Sequence, residues 1–158
     1  MNSDHLDRLG TDSSDPSTSS AFPLSVRKET LLVVDDDELF RALEVQILCA
    51  QGFRVLQAET AEQALWLAEA ADRIDLLLTD FKLPGADGWE LTRRFRIMHP
   101  ETPVLMVSGS LPEVRENLHG MEFFEMLEKP FVLAELLRKI RCLLEATVDA
   151  QNSNRQHA

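Results

Sequence analysis

No stretch of about 18 consecutive apolar residues occurs in the sequence, so nothing in it is suited to cross a membrane as a helix. The first residues lack a basic start followed by an apolar run, which argues against an export signal. Basic charge is scarce, with 16 Lys and Arg against 27 Asp and Glu and a formal net charge of −11. With a pI near 4.7, the surface has no cationic excess for a sequence-independent grip on nucleic acid or anionic lipid. A protein partner is therefore expected. Cysteine is nearly missing as well. Cys49 and Cys142 each lie in an apolar, helix-like run, which predicts buried reduced thiols rather than a disulfide or a metal site. These absences together predict a cytoplasmic protein with no membrane and no direct nucleic-acid contact.

What is present is one domain's worth of core. The hydrophobic content of 44% over 158 residues is enough for a single buried interior with room for tails. Residues 1–28 are rich in Ser, Thr, Asp and Pro and read as a disordered amino-terminal tail, because too few apolar side chains offset the entropy of ordering. The domain is expected over 29–147, and 148–158 as a flexible carboxy-terminal tail without apolar periodicity.

Within 29–147 short apolar runs alternate with helical patterns. Leu31 to Val34 reads as a strand, followed by a helix with Leu39, Leu43, Ile47 and Ala50 on one face and Gly52 as its stop. Phe53 to Ala58 is a second strand, and Thr60 and Gln63 have capping-box spacing before a helix carrying Ala64, Leu65, Leu67 and Trp66, the last as a packing residue. Leu76 to Thr79 is a third strand ending at Asp80. The turn-rich loop KLPGADG then leads to a helix started by Asp87 and Glu90, with Trp89 packed on the sheet. Val104 to Val107 is a fourth strand ending at Ser108, and Pro112 to His119 a short helix closed by Gly120. Glu122 to Leu127 is a fifth strand. Lys129 and Pro130 follow it, then a helix with Leu133, Leu136, Leu137, Ile140 and Leu144 on its apolar face. Five such units with near-continuous apolar strands predict an α/β protein, a parallel sheet with helices on both faces.

In such open sheets a ligand site lies beyond the carboxyl ends of the strands. Those ends carry Asp35 and Asp36, Asp80, Ser108 and Lys129. Three carboxylates in one pocket repel one another unless a cation neutralises them, and oxygen ligands favour a hard divalent ion such as Mg²⁺. A carboxylate there can attack phosphorus while a lysine and a hydroxyl contact the charged phosphoryl oxygens. Taken singly, each acid is better read as a solvated strand end or helix cap. The joint occurrence of all five positions is what favours phosphoryl transfer.

The fragments LLVVDDDE, LLLTDFKLPGADGWEL, PVLMVSGS and LEKPF, in this order and spacing, resemble the response-regulator receiver domain of two-component signalling over roughly Glu29 to Thr147. The resemblance implies a flavodoxin-like three-layer sandwich with strand order 2-1-3-4-5. It implies Asp80 as phosphoacceptor, Asp36 as a direct Mg²⁺ ligand, Asp35 as a ligand through water, and Lys82 as donor of a backbone carbonyl to the metal. Ser108 and Lys129 would contact the phosphoryl group, with Pro130 completing a cis Lys-Pro bond. The phosphodonor would be a sensor histidine kinase or histidine phosphotransferase, since His5, His99, His119 and His157 show no spacing for a ligand or donor role. No second globular domain is read after the last helix, so output is expected through contact with an unknown protein effector. The family's usual face for docking or homodimerisation corresponds to Pro112 to Thr147.

One position departs from the family pattern. Three residues before Lys129, where an aromatic residue usually couples to the hydroxyl, stands Met126, which lacks a ring's two defined positions; Phe123 and Phe124 read as core. Two other functions compete. One is a haloacid-dehalogenase-type phosphatase with Asp35 as nucleophile and Asp37 as acid/base, which would leave Asp80 and its loop without a purpose. The other is a receiver-fold interaction module that works without phosphorylation, favoured by Met126.

Overall fold

The computed structural model describes residues 27–109 and 122–156. Among these, five strands alternate with helices: β1 (Thr30–Val34), α1 (Glu38–Ala50), β2 (Arg54–Ala58), α2 (Ala61–Ala70), β3 (Leu76–Asp80), α3 (Gly88–Met98), β4 (Val104–Ser108), β5 (Phe124–Glu128) and α4 (Leu133–Gln156). The expected helix at Pro112 to His119 lies outside the described residues. All neighbouring strands pair in parallel, in the order β2-β1-β3-β4-β5. The α/β class, the sheet order and the helices on both faces are as expected from the sequence.

Side chains alternate across a strand, so the apolar run of β1 feeds two interiors at once. Leu31 and Val33 join Leu48 of α1 and Leu136, Ile140 and Leu143 of α4. Leu32 and Val34 face the other way, into Ala61, Ala64 and Ala68 of α2 and Leu91 and Phe95 of α3. Each leucine fully buried here stabilises the fold by roughly 1.5–3 kcal/mol, and the buried polar residues of the central strands, Thr30, Thr79 and Ser108, stand at or next to strand ends. The edge strands β2 and β5 are partly exposed and carry Arg54, Gln57, Glu125 and Glu128.

Helix starts behave as their sequences suggest. Thr60 accepts a hydrogen bond from Gln63 N, and Asp87 from Glu90 N, so each cap satisfies an amide the first turn cannot. Trp89 is half-buried and meets Phe124 edge to face, with ring centroids 6.2 Å apart. Arg96 reaches from α3 to the start of β5, its Nη2 donating to the carbonyls of Glu122 and Phe123.

Several side chains point elsewhere than expected. Leu39 and Leu43 are 84% and 51% exposed, and the inward stripe of α1 is instead Phe40, Glu44 and Leu48. The rotation is fixed at the β1–α1 junction: Asp37 caps the helix by accepting from Leu39 N and Phe40 N, and Arg41 Nη1 donates to the Asp35 carbonyl at 2.6 Å. Cys49 and Cys142 are exposed free thiols, not buried ones. Each sits one position, or about 100° of helix, from an inward leucine. Trp66 is turned outward beside the buried Leu65, and Leu133 is exposed while Leu143 takes the inward place in α4. Strand β5 begins at Phe124 rather than Glu122, after Phe123 adopts a left-handed backbone with φ 54°. Helix α4 continues past Thr147 to Gln156, through the strong helix formers Ala150 and Gln151.

The close approach of α3 to the end of β3 depends on Gly88. Its N–H donates to the Phe81 carbonyl at 2.7 Å, and a Cβ there would collide with the Asp80 carbonyl and lie 3.0 Å from Phe81 Cα. Gly88→Ala is expected to cost about 1–3 kcal/mol of overpacking and lower the thermal midpoint. Gly109→Ala, where a Cβ meets nothing within 4 Å, should leave the midpoint nearly unchanged in the same calorimetric comparison.

Candidate functional site

The strand ends converge on one acidic pocket. Asp35 follows β1 and is buried, Asp36 beside it is exposed, and Asp80 closes β3; one carboxylate oxygen of each lies within 4.8 Å of the others. Strand pairing sets this spacing, since Val34 is in register with Thr79. Lys129, one residue past β5, extends over the sheet and donates from Nζ to Asp80 Oδ2 at 3.0 Å and Asp35 Oδ2 at 3.3 Å. The Lys129–Pro130 peptide is cis.

The remaining sequence-derived residues surround these four. Ser108 ends β4, one residue beyond the register partner of Asp80, and is buried; its carbonyl accepts from Lys129 N at 2.8 Å. Lys82 lies on the exposed loop, and its backbone N–H donates to Asp80 Oδ1 at 3.2 Å. Met126 is half-buried and in register with Met106. Asp37 stands outside the cluster, with its carboxylate capping α1. A phosphatase using Asp37 as acid/base would have to give up that cap.

Charge and burial are in tension here. Burial pushes the Asp35 carboxyl up; the Asp37 N–H at 2.8 Å and the Lys129 ammonium oppose this, and the Asp80 charge adds to it, for a net rise. For Lys129, burial acts to lower the pKa, but the hydrogen bond to Asp80 and the two carboxylate charges outweigh it and hold the lysine above its ordinary value. Among the described residues, three carboxylates meet one ammonium, which leaves an excess of two negative charges, and the donors are all oxygen. A hard divalent cation fits that set in charge and in chemistry.

Sequence reasoning missed two neighbours of this pocket. Lys129 Nζ stands 4.4 Å from the centre of the Phe40 ring. One turn further along α1, Glu44 is only 4% exposed, and burial, with the charges of Asp35 and Asp80 against that of Lys129, pushes its carboxyl up to about 8. The signal was their spacing of four, which continues to Leu48 and marks one helix face.

A family model described as the response regulator receiver domain matches residues 31–141. The transcriptional regulatory protein CpxR of Klebsiella pneumoniae is 37% identical over 116 residues, covering 72% of this chain and 48% of that protein. Protein PetR of Rhodobacter capsulatus is 35% identical over 129 residues, 80% of this chain and 53% of its own. The chain thus spans about half the length of these curated relatives. Among solved structures, a CheY-like response regulator receiver domain protein from Methanospirillum hungatei superposes with a TM-score of 0.71 at 31% identity, covering 78% of this chain and 99% of that one.

The protonation of Glu44 should be visible in stability. The unfolded chain releases this proton near the ordinary value of 4.5, whereas the folded chain holds it to about 8. Between those values the native state binds the extra proton, so its contribution is full below pH 4.5 and is lost as pH rises towards 8. Urea midpoints in metal-free buffer are expected to fall over this window in wild type and to fall less in Glu44→Gln. Equal slopes in the two proteins would mean that Glu44 is ionised in the fold.

Proposed function

The chain belongs to the response regulator receiver domain family, and on that premise we propose that it takes a phosphoryl group onto Asp80 from a histidine kinase or histidine phosphotransferase and signals through protein contact. The observation that carries this reading is the single Lys129 ammonium bonded to both Asp35 and Asp80 at the head of a three-carboxylate cluster. It is an arrangement with a nucleophile, a cation and an unfilled demand for positive charge in one place.

The reaction read onto this geometry is an in-line displacement. An Asp80 carboxylate oxygen attacks phosphorus, the oxygen–phosphorus bond forms, and the phosphorus–nitrogen bond of the donor histidine breaks, its electron pair staying on nitrogen. Asp35, Asp36 and Asp80, with the Lys82 carbonyl, would hold Mg²⁺, which when bound supplies positive charge next to the phosphoryl oxygens. Lys129 supplies a second positive charge from the β5 side, and its hydrogen bond to Asp80 is the contact it would exchange for a phosphoryl oxygen. The Ser108 hydroxyl, at the adjacent strand end, is the neutral donor for another of those oxygens. Burial of Asp35 and Ser108 excludes bulk water from one side of the pocket and strengthens each of these interactions.

Output is read as contact with a protein effector, with residues 112–147 as the docking or homodimer face. Met126 favours a second reading, in which that face works independently of phosphorylation. An unbranched thioether paired with Met106 fills its space in either state of Ser108, so it provides no ring to lock one state against the other.

Titration of Mg²⁺ and then beryllofluoride, a stable phosphoryl mimic, separates these readings by two-dimensional amide spectra. Shifts running from Asp80 through Ser108 to Met126 in wild type, and missing in folded Asp80→Asn, are expected. Shifts confined to the metal-side residues would support the phosphorylation-independent module. With a labelled donor, Asp80→Asn should take no label, and Lys129→Ala should be phosphorylated at least tenfold more slowly, as for loss of a preorganised charge at a reacting oxygen. Unimpaired labelling of Asp80→Asn would refute the assignment of the acceptor.

A further inference from the structure

Lys129 has a neighbour that the phosphoryl-transfer reading leaves without a task. The Phe40 ring centre lies 4.4 Å from Nζ, well inside the distance at which the negative face of an aromatic ring attracts an ammonium ion. The ring is held in place, because it meets Phe131 edge to face at 79° with centroids 5.9 Å apart. Phe131 lies two residues beyond Lys129, so one loop carries both the ammonium and the ring that braces its neighbour. On the other side, the Asp37 cap and the Arg41 bond to the Asp35 carbonyl fix the first turn of α1. Phe40 is thereby tied to the same strand end as Asp35.

We propose that the Phe40 ring is a seat for the Lys129 ammonium ion, making Phe40 a positioning residue that keeps the cation at the pocket when Asp35 and Asp80 change partners. The proposal rests on Asp80 being the phosphoacceptor. Once an Asp80 oxygen is bonded to phosphorus its carboxylate charge is gone, and Asp35 would be drawn towards a metal ion held in the pocket. In that exchange the half-buried ammonium gives up the two hydrogen bonds seen here, at 3.0 and 3.3 Å, before a phosphoryl oxygen takes their place. A partly desolvated cation between partners is costly. The face of the ring is an attraction that the reaction does not consume, so Nζ stays close enough to donate to the phosphoryl group. An aliphatic side chain of similar size would fill the space and offer no such face.

The experiment compares Phe40→Tyr, Phe40→Met and Phe40→Leu with wild type by two readouts. The first is the carbon–proton resonance of the Lys129 ε-methylene, assigned with Lys129→Arg, which a ring face moves upfield whether or not phosphorylation occurs. The second is the rate of Asp80 phosphorylation by phosphoramidate at saturating Mg²⁺. Wild type and Phe40→Tyr are expected to show the upfield resonance. Phe40→Met and Phe40→Leu should lose it and react about fivefold more slowly, the scale of a partly exposed cation–π contact. Two results overturn the seat: an ε-methylene shift equal in wild type and Phe40→Met, or a wild-type rate in Phe40→Met. If wild type itself takes no phosphoryl group, the reading of Asp80 fails instead, and the metal-free resonance still decides the seat. An upfield wild-type resonance lost in Phe40→Met supports it, and an unshifted one overturns it.

Discussion

The bridge from Lys129 Nζ to Asp80 and Asp35 is the contact around which the pocket is organised. Strands β1 and β3 are neighbours, so the parallel register brings two acids together whether or not they are compatible. Asp35 is also buried, and both burial and the Asp80 charge work against its ionised form. A cation must therefore arrive from elsewhere in the fold. Lysine suits the span, because its long flexible stem can start beyond β5 and cross the end of β4 to reach the two carboxylates. The one ammonium links the ends of strands β1, β3 and β5, and so the geometry of the whole upper edge of the sheet.

That edge is also where the chain reverses direction of winding. With order β2-β1-β3-β4-β5, the connection after β1 leads to one side and the connection after β3 to the other, leaving a crevice between the two strand ends. Asp35 and Asp80 occupy that crevice. The two interiors below it are filled by α1 and α4 on one face and α2 and α3 on the other, so the backbone under the carboxylates is anchored from both sides. The absence of a side chain at Gly88, where α3 folds back onto the Asp80 carbonyl, belongs to the same constraint.

The sequence was legible where a side chain's position follows from the backbone alone. Asp35, Asp36, Asp80, Ser108 and Lys129 sit where apolar strand runs stop, and parallel pairing then gathers them without further information. Legibility failed where rotation of a helix decides the outcome. Helix α1 has apolar residues on more than one side, with Leu39 and Leu43 competing against Phe40 and Leu48. A glutamate at position 44 made the true inward face look like a solvent face, since ionised side chains are rarely buried. What settled the rotation was the Asp37 cap and the Arg41 contact at the junction, neither of which periodicity encodes. Cys49, Trp66 and Cys142 are misplaced by rotation as well: each adjoins a buried leucine, Leu48, Leu65 or Leu143, and a hydrophobic run fixes that a helix packs without fixing which of two neighbours turns inward.

Glu44 shows how such an inward acid is tolerated. Were it ionised, it would add a fourth negative charge beneath a pocket whose three carboxylates already exceed their one ammonium. It would compete with Asp35 and Asp80 for Lys129. With burial and the charges of Asp35 and Asp80 pushing its carboxyl up to about 8, the ionised form is disfavoured near neutral pH, and the competition is weakened. The same carboxylates that disfavour its charge are the ones a divalent cation would neutralise. Occupancy of the upper pocket and the proton on Glu44 are therefore electrostatically opposed, with cation binding above easing ionisation below. Burial is the main reason the acid keeps its proton in the fold, and the negative charge of Asp35 and Asp80, which Lys129 alone does not cancel, acts in the same direction.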